Sequence, residues 1–209
     1  MELPIITIII IGITVLVSYS ALQNVSQLNK LMFYPTAIRR NPNEWWRFIT
    51  HGFIHADYTH LAFNMITLFF FGRNLEYLFG QIFGNPMVYI LFYFAALVFS
   101  SVPTYFKHKD NYHYCALGAS GAVSAVMFAA IMFDPWQTLR FNFFIPIPAI
   151  LFAIGYVAYS SYMSKRANDN IGHDAHLWGA VFGILFPLIF KPSIIPFFIE
   201  QLQHPRFNP

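Results

Sequence analysis

The chain has 209 residues, 57% of them hydrophobic and only 10% charged, with a formal net charge of +3. Soluble domains carry about 25% charged residues, so the composition excludes a water-soluble globule and puts the chain in a membrane. The twelve lysines and arginines form no basic run, which leaves lipid headgroups rather than nucleic acid as their partners. A single cysteine, Cys115, excludes an intrachain disulfide framework and reads as a small buried apolar residue.

A hydrocarbon core about 30 Å thick takes about 20 apolar residues per helix. Six segments qualify, approximately Leu3–Ala21, Tyr58–Phe79, Pro86–Pro103, Cys115–Phe133, Phe143–Met163 and Ala175–Phe190. The first has neither the charged start nor the small-residue cleavage site of a signal peptide, and is read as a retained helix. Roughly 35 residues follow before the second, a connection of the length that is functional or disordered. Its Trp45, Trp46, Arg47 and Phe48 have the composition of a segment lying in the membrane interface. Later connections are short, marked by Gly80 with Asn85-Pro86, by Asp134-Pro135, and by Lys165-Arg166-Ala167-Asn168-Asp169-Asn170. The last segment is short, with Pro187 placed to kink it. Ile194, Ile195, Phe197 and Phe198, beyond Lys191, either extend it or lie along the interface. The expected fold is all-α: a polytopic membrane protein with a six-transmembrane-helix bundle, in one domain over residues 1–209.

Even-numbered spans all enter the bilayer from one face. Asn64, Ser120 and His176 lie near the starts of spans two, four and six, hence at similar depth. Hydrocarbon penalises polar groups that nothing requires, so the coincidence points to one site. Ser120, within Gly118-Ala119-Ser120-Gly121, becomes a nucleophile once a base takes its proton. The same stretch, with Ser124 and Ala125, offers a small-residue surface for helix packing, and the two uses are compatible. His176 stands one turn before Gly179, which forms a Gly-xxx-Gly face with Gly183. If span four is the neighbour, base and nucleophile meet. His60 and Asn64, four apart, share a helix face and with the Ser120 N–H can donate to a developing oxyanion. The rival is a metal or haem site, because His51 and His55 have helical ligand spacing, although no cysteine or carboxylate cluster completes a coordination set.

Taken together, these motifs make the chain resemble a rhomboid intramembrane serine protease of the basic six-helix kind. The resemblance rests on Trp46-Arg47, the series His51, His55, His60, Asn64, then Gly72, Glu76 and Gly80. It continues through Gly118-Ala119-Ser120-Gly121 and Ala175-His176 with Gly179 and Gly183, over nearly the whole chain. It implies Ser120 as nucleophile and His176 as base, a dyad without a third acidic member. It also implies an oxyanion hole of His60, Asn64 and the Ser120 N–H. Trp46, Arg47, His51, His55, Glu76, Gly118, Gly121, Gly179 and Gly183 would be supporting residues. No metal or organic cofactor is implied. The implied substrates are transmembrane proteins within the lipid bilayer, with the first loop partly embedded and span five gating entry. The implied location is a bacterial plasma membrane, the site opening outward.

Asp174, two residues before His176, reads as solvated or capping rather than as a third catalytic member. Two features depart from the family pattern. Ser124 stands where the family has an aromatic that stacks on the catalytic histidine. On the site's side, Lys30, Arg39, Arg40, Arg47, Lys107, Lys109, Lys165 and Arg166 outnumber Arg73, Arg140, Lys191 and Arg206 on the other. A positive-inside count therefore turns the site toward the cytoplasm, opposite to the family. A non-proteolytic rhomboid-like protein that binds transmembrane clients through the same groove is the alternative, and oligomeric state is not legible.

Overall fold

The first apolar run winds into α1 (Ile5–Gln23), and the side chain of Asn24 then accepts from the Gln27 amide at 3.2 Å to start α2 (Val25–Leu31). The computed structural model describes residues 3–141, 145–166 and 172–206. The connection after α1 is ordered: α3 (Pro35–Arg40), a 3-10 turn at Pro42–Trp46, α4 (Arg47–Thr50) and a second 3-10 turn at His51–Phe53. Arg47 stitches it together. Its guanidinium donates to Glu44 Oε2 at 2.5 Å and to the carbonyls of Lys30 at 2.6 Å and Met32 at 2.7 Å, and packs 4.5 Å from the Trp46 ring centroid.

Asp57 accepts from the His60 amide at 2.8 Å and opens α5 (Tyr58–Phe83). Then come α6 (Met87–His108), α7 (Ser120–Phe133), the strands β1 (Thr138–Phe141) and β2 (Ile145–Pro148), α8 (Ala149–Arg166), α9 (His173–Phe190) and α10 (Ile194–Gln203). Among the described residues α1, α6 and α9 are long and apolar enough by themselves to cross a membrane. α5 is longer but carries Arg73 and Glu76, and α7 has only 14 residues. Large apolar side chains point outward around the bundle, including Leu16 at 72% exposure, Phe63 at 67% and Ile189 at 66%. Such a surface belongs in lipid.

α7 is the hub. Every residue from Gly121 to Met132 is buried, and α5, α6, α8 and α9 all pack on it. Lipid tails supply no hydrophobic drive between helices, so close contact of small residues must hold them. α7 and α9 meet this need backbone to backbone. A β-carbon on Gly179 would overlap the Gly121 carbonyl, and one on Gly183 would overlap that of Ala125. Below the hub, Phe79, Phe92, Phe182 and Phe186 interlock, with Phe79 and Phe186 stacked at 6.2 Å. Buried Glu76 ties α1 to α5, accepting from the amides of Ile6 at 3.0 Å and Thr7 at 2.8 Å and from Thr7 Oγ1 at 2.7 Å. A carboxylate is favourable at a helix start, where amides lack carbonyl partners.

Several expectations need correction. The fourth helix starts at Ser120 rather than Cys115, because Phe33 and Ala116 exchange backbone bonds at 2.9 and 3.0 Å and keep the approach extended. Cys115 is consequently exposed, not buried. A two-stranded hairpin, Thr138 facing Pro148, occupies part of the expected fifth helix, which begins at Ala149. The expected start at Phe143, and residues 167–170 of the following connection, lie outside the described residues. Pro187 lies inside α9, which runs on to Phe190, and the apolar residues after Lys191 do not extend that helix but form the separate helix α10.

Candidate active site

The backbone leading to Ser120 is pinned at successive points to the first loop. After the Phe33–Ala116 bridge, the Gly118 amide donates to the His51 carbonyl at 2.9 Å, and the Ala119 amide to His55 Nε2 at 3.4 Å. Gly118 then turns with φ 116°, a left-handed conformation that side chains disfavour. The His60 ring lies directly on it: a β-carbon there would stand 2.8 Å from His60 Cε1 and 3.0 Å from Nε2. Ser120 follows as the first residue of α7, half-buried, with its amide among those a helix start leaves free.

Both loop histidines act as struts. His55 Nε2 accepts from Ala119, so its proton sits on Nδ1 and is donated to Ser18 Oγ at 2.8 Å. Ser18 in turn donates to the Phe53 carbonyl at 3.1 Å. His51 Nδ1 donates to the Arg47 carbonyl at 2.8 Å, and its Nε2 lies 3.2 Å from Ser101 Oγ, whose single proton also faces the Leu97 carbonyl at 2.9 Å. Burial lowers the His51 pKa to about 4. Burial, with a smaller contribution from His60, lowers that of His55 to about 3, so both rings are neutral at ordinary pH.

α9 brings the remaining groups. The Ala175 carbonyl lies 3.4 Å from where a Gly121 β-carbon would be, so the neighbours of Ser120 and His176 touch. No hydrogen bond joins Ser120 to His176 among the described residues. His176 is half-buried and faces the Tyr156 ring of α8 at 6.0 Å and 28°. The Tyr156 hydroxyl is 2.6 Å from Ser124 Oγ. His173 sits edge-on to His176, also at 6.0 Å. Asn64 is buried and donates from its amide to the His60 carbonyl at 3.0 Å on the same helix. Asp174 is committed elsewhere, accepting from Lys107 Nζ at 2.7 Å and Ser164 Oγ at 2.5 Å.

The structure therefore brings the segments of Ser120, His176, His60, His55, His51, Gly118, Gly121 and Gly179 together, while Gly183 packs on Ala125 further along α7. Asn64 lies one turn deeper, while Trp46 and Arg47 order the loop that frames it. Glu76 is distant in role, anchoring α1. Sequence reasoning missed Tyr156, Ser101, Ser18 and His173. For Tyr156 a signal existed in Ser124 itself, a small hydroxyl where an aromatic was expected, leaving both a space and a hydrogen-bond partner.

The Rhomboid domain family model matches residues 42–193. The chain belongs to the rhomboid family. It is 35% identical over 63% of its length to RHOMBOID-like protein 12, mitochondrial, of Arabidopsis thaliana, a match spanning 42% of that protein. YdcA of Bacillus subtilis is 32% identical over 70% of the chain and 67% of its own length. Rhomboid protease GlpG of Haemophilus influenzae is 26% identical over 76% of both. The relatives named rhomboid proteases support a serine-type intramembrane endopeptidase, and the apolar helices make the rhomboid chain an integral membrane protein.

Proposed function

We propose that this rhomboid chain hydrolyses peptide bonds in transmembrane segments of other proteins, using Ser120 as nucleophile and His176 as general base. The observation that carries the reading is the contact of Gly121 with Ala175 and Gly179, beside Gly118 on His60. It sets the Ser120, His176 and His60 segments against one another.

Ser120 Oγ attacks the scissile carbonyl carbon while His176 takes its proton. Negative charge moves to the carbonyl oxygen, where the Ser120 amide, His60 and Asn64 donate to it. The unpaired amides at the start of α7 add the positive end of a helix dipole. Collapse of the tetrahedral intermediate breaks the C–N bond, and His176 returns the proton to the leaving amine. Water, activated by the same imidazole, then releases the acyl group from Ser120.

A helix of 14 residues is about 21 Å long, shorter than a hydrocarbon core of about 30 Å. Ser120 is thus set below the membrane boundary, reached by the extended segment before it. A substrate helix must unwind there to offer its carbonyl, which favours glycine or proline in the cleaved segment and small side chains beside the bond. The reading places the site on the extracytoplasmic side of a bacterial plasma membrane, against the positive-inside count.

The test is cleavage of a model transmembrane substrate in proteoliposomes. The parent chain should cleave and Ser120→Ala should not. Equal cleavage by Ser120→Ala would assign the nucleophile elsewhere.

A further inference from the structure

We infer that Tyr156 is the residue that positions His176, and that Ser124 anchors Tyr156 for this task. The inference rests on the reading of His176 as the base. Ser124 lies on α7 one turn beyond Ser120, and its Oγ is 2.6 Å from the Tyr156 hydroxyl. The Tyr156 ring faces the His176 imidazole with centroids 6.0 Å apart and planes 28° apart, within the range of offset-stacked rings. Phe128, one turn further along α7, braces the ring from one side at 5.7 Å, and Phe152 of α8 from another at 6.0 Å. One phenol thus joins three helices: its ring face is on the base's helix, its oxygen on the nucleophile's helix and its backbone on α8.

The arrangement solves a problem that position 124 creates. A serine side chain is too short to stack on His176, and an imidazole with no flat neighbour has a free χ2 rotation. The aromatic surface arrives from α8, and the hydroxyl of Ser124 fixes where it stops. An imidazolium forming during catalysis would also lie over the electron-rich ring face, which attracts cations. α8 is tied a second time to α9 where Ser164 Oγ donates to Asp174 at 2.5 Å. The seating of α8 therefore sets the orientation of His176, and displacement of α8 would disarm the base.

The test uses the full chain in detergent, with kcat and KM on a model transmembrane substrate and the melting temperature of each variant. Removing the ring with Tyr156→Leu should lower kcat by about 10- to 100-fold, the scale of a misplaced catalytic group, with KM changed less than about twofold. Tyr156→Phe keeps the ring but loses the bond to Ser124, so its kcat should fall between the parent and Tyr156→Leu; parent kcat in Tyr156→Phe would overturn the anchoring role of Ser124. The deciding variant carries Ser124→Tyr with Tyr156→Leu, which moves the aromatic from α8 to α7 and should recover kcat. Full kcat in Tyr156→Leu, or a folded double variant as slow as Tyr156→Leu, would overturn the inference while leaving the protease reading intact. A parent chain that neither cleaves nor labels with a fluorophosphonate would instead remove the protease reading, and this inference with it.

Discussion

Gly179 of α9 rests on the carbonyl of Gly121 so closely that no β-carbon fits between them; such an atom would also stand 2.9 Å from the Gly121 carbonyl carbon and 3.1 Å from its Cα. Both partners are backbone, so neither can rotate away. Gly179→Ala should separate α7 from α9 next to Ser120. A melting curve in detergent should show a loss of about 1–3 kcal/mol or more, with cleavage falling more steeply than stability. Gly155→Ala is the control, since nothing lies within 4 Å of a β-carbon there.

Glu76 holds three donors of α1, the amides of Ile6 and Thr7 and the Thr7 hydroxyl. Glu76→Ala leaves them buried and unserved, at about 1–3 kcal/mol each. Glu76→Gln keeps an acceptor but loses the charge. The melting temperature should fall in the order parent, Gln, Ala, and the start of α1 should become accessible to a thiol reagent at an introduced cysteine in the Ala variant.

His51 and His55 give the fold a pH dependence whose sign follows from burial. Their folded-state values, about 4 and about 3, lie below the ordinary histidine value of 6.5. The unfolded chain therefore binds more protons between those limits, and stability falls as pH drops. The loss begins near pH 6.5 and continues to about pH 4 for His51 and about pH 3 for His55, where each folded ring protonates too. For His51 alone it is on the order of 3 kcal/mol. Melting curves between pH 7.5 and 4.5 should decline, and His51→Gln, which no longer titrates, should decline less.

Much of the site was legible because its spacing is set by helix geometry. Gly179 and Gly183 four apart, and His60 with Asn64 four apart, describe faces before any contact is known. The expectation that Asn64, Ser120 and His176 lie under one membrane face follows from chain reversal alone, although Asn64 stands one turn further along α5 than His60. Contacts between distant segments were not legible. Ala119 on His55 and Tyr156 on Ser124 depend on where α8 and the first loop settle, which no local pattern records. The extended approach to Ser120 was hidden for another reason. Its pairing with Phe33 is non-local, so the apolar residues near Cys115 read as helix.

Labelling by a fluorophosphonate tests the central claim, a Ser120 activated by His176, most directly. The purified chain in detergent should form one adduct, and tandem mass spectrometry should place it on Ser120. His176→Ala should slow its formation by about 100-fold or more, the scale of general-base assistance. An adduct on another residue, or labelling at the parent rate in His176→Ala, would contradict it.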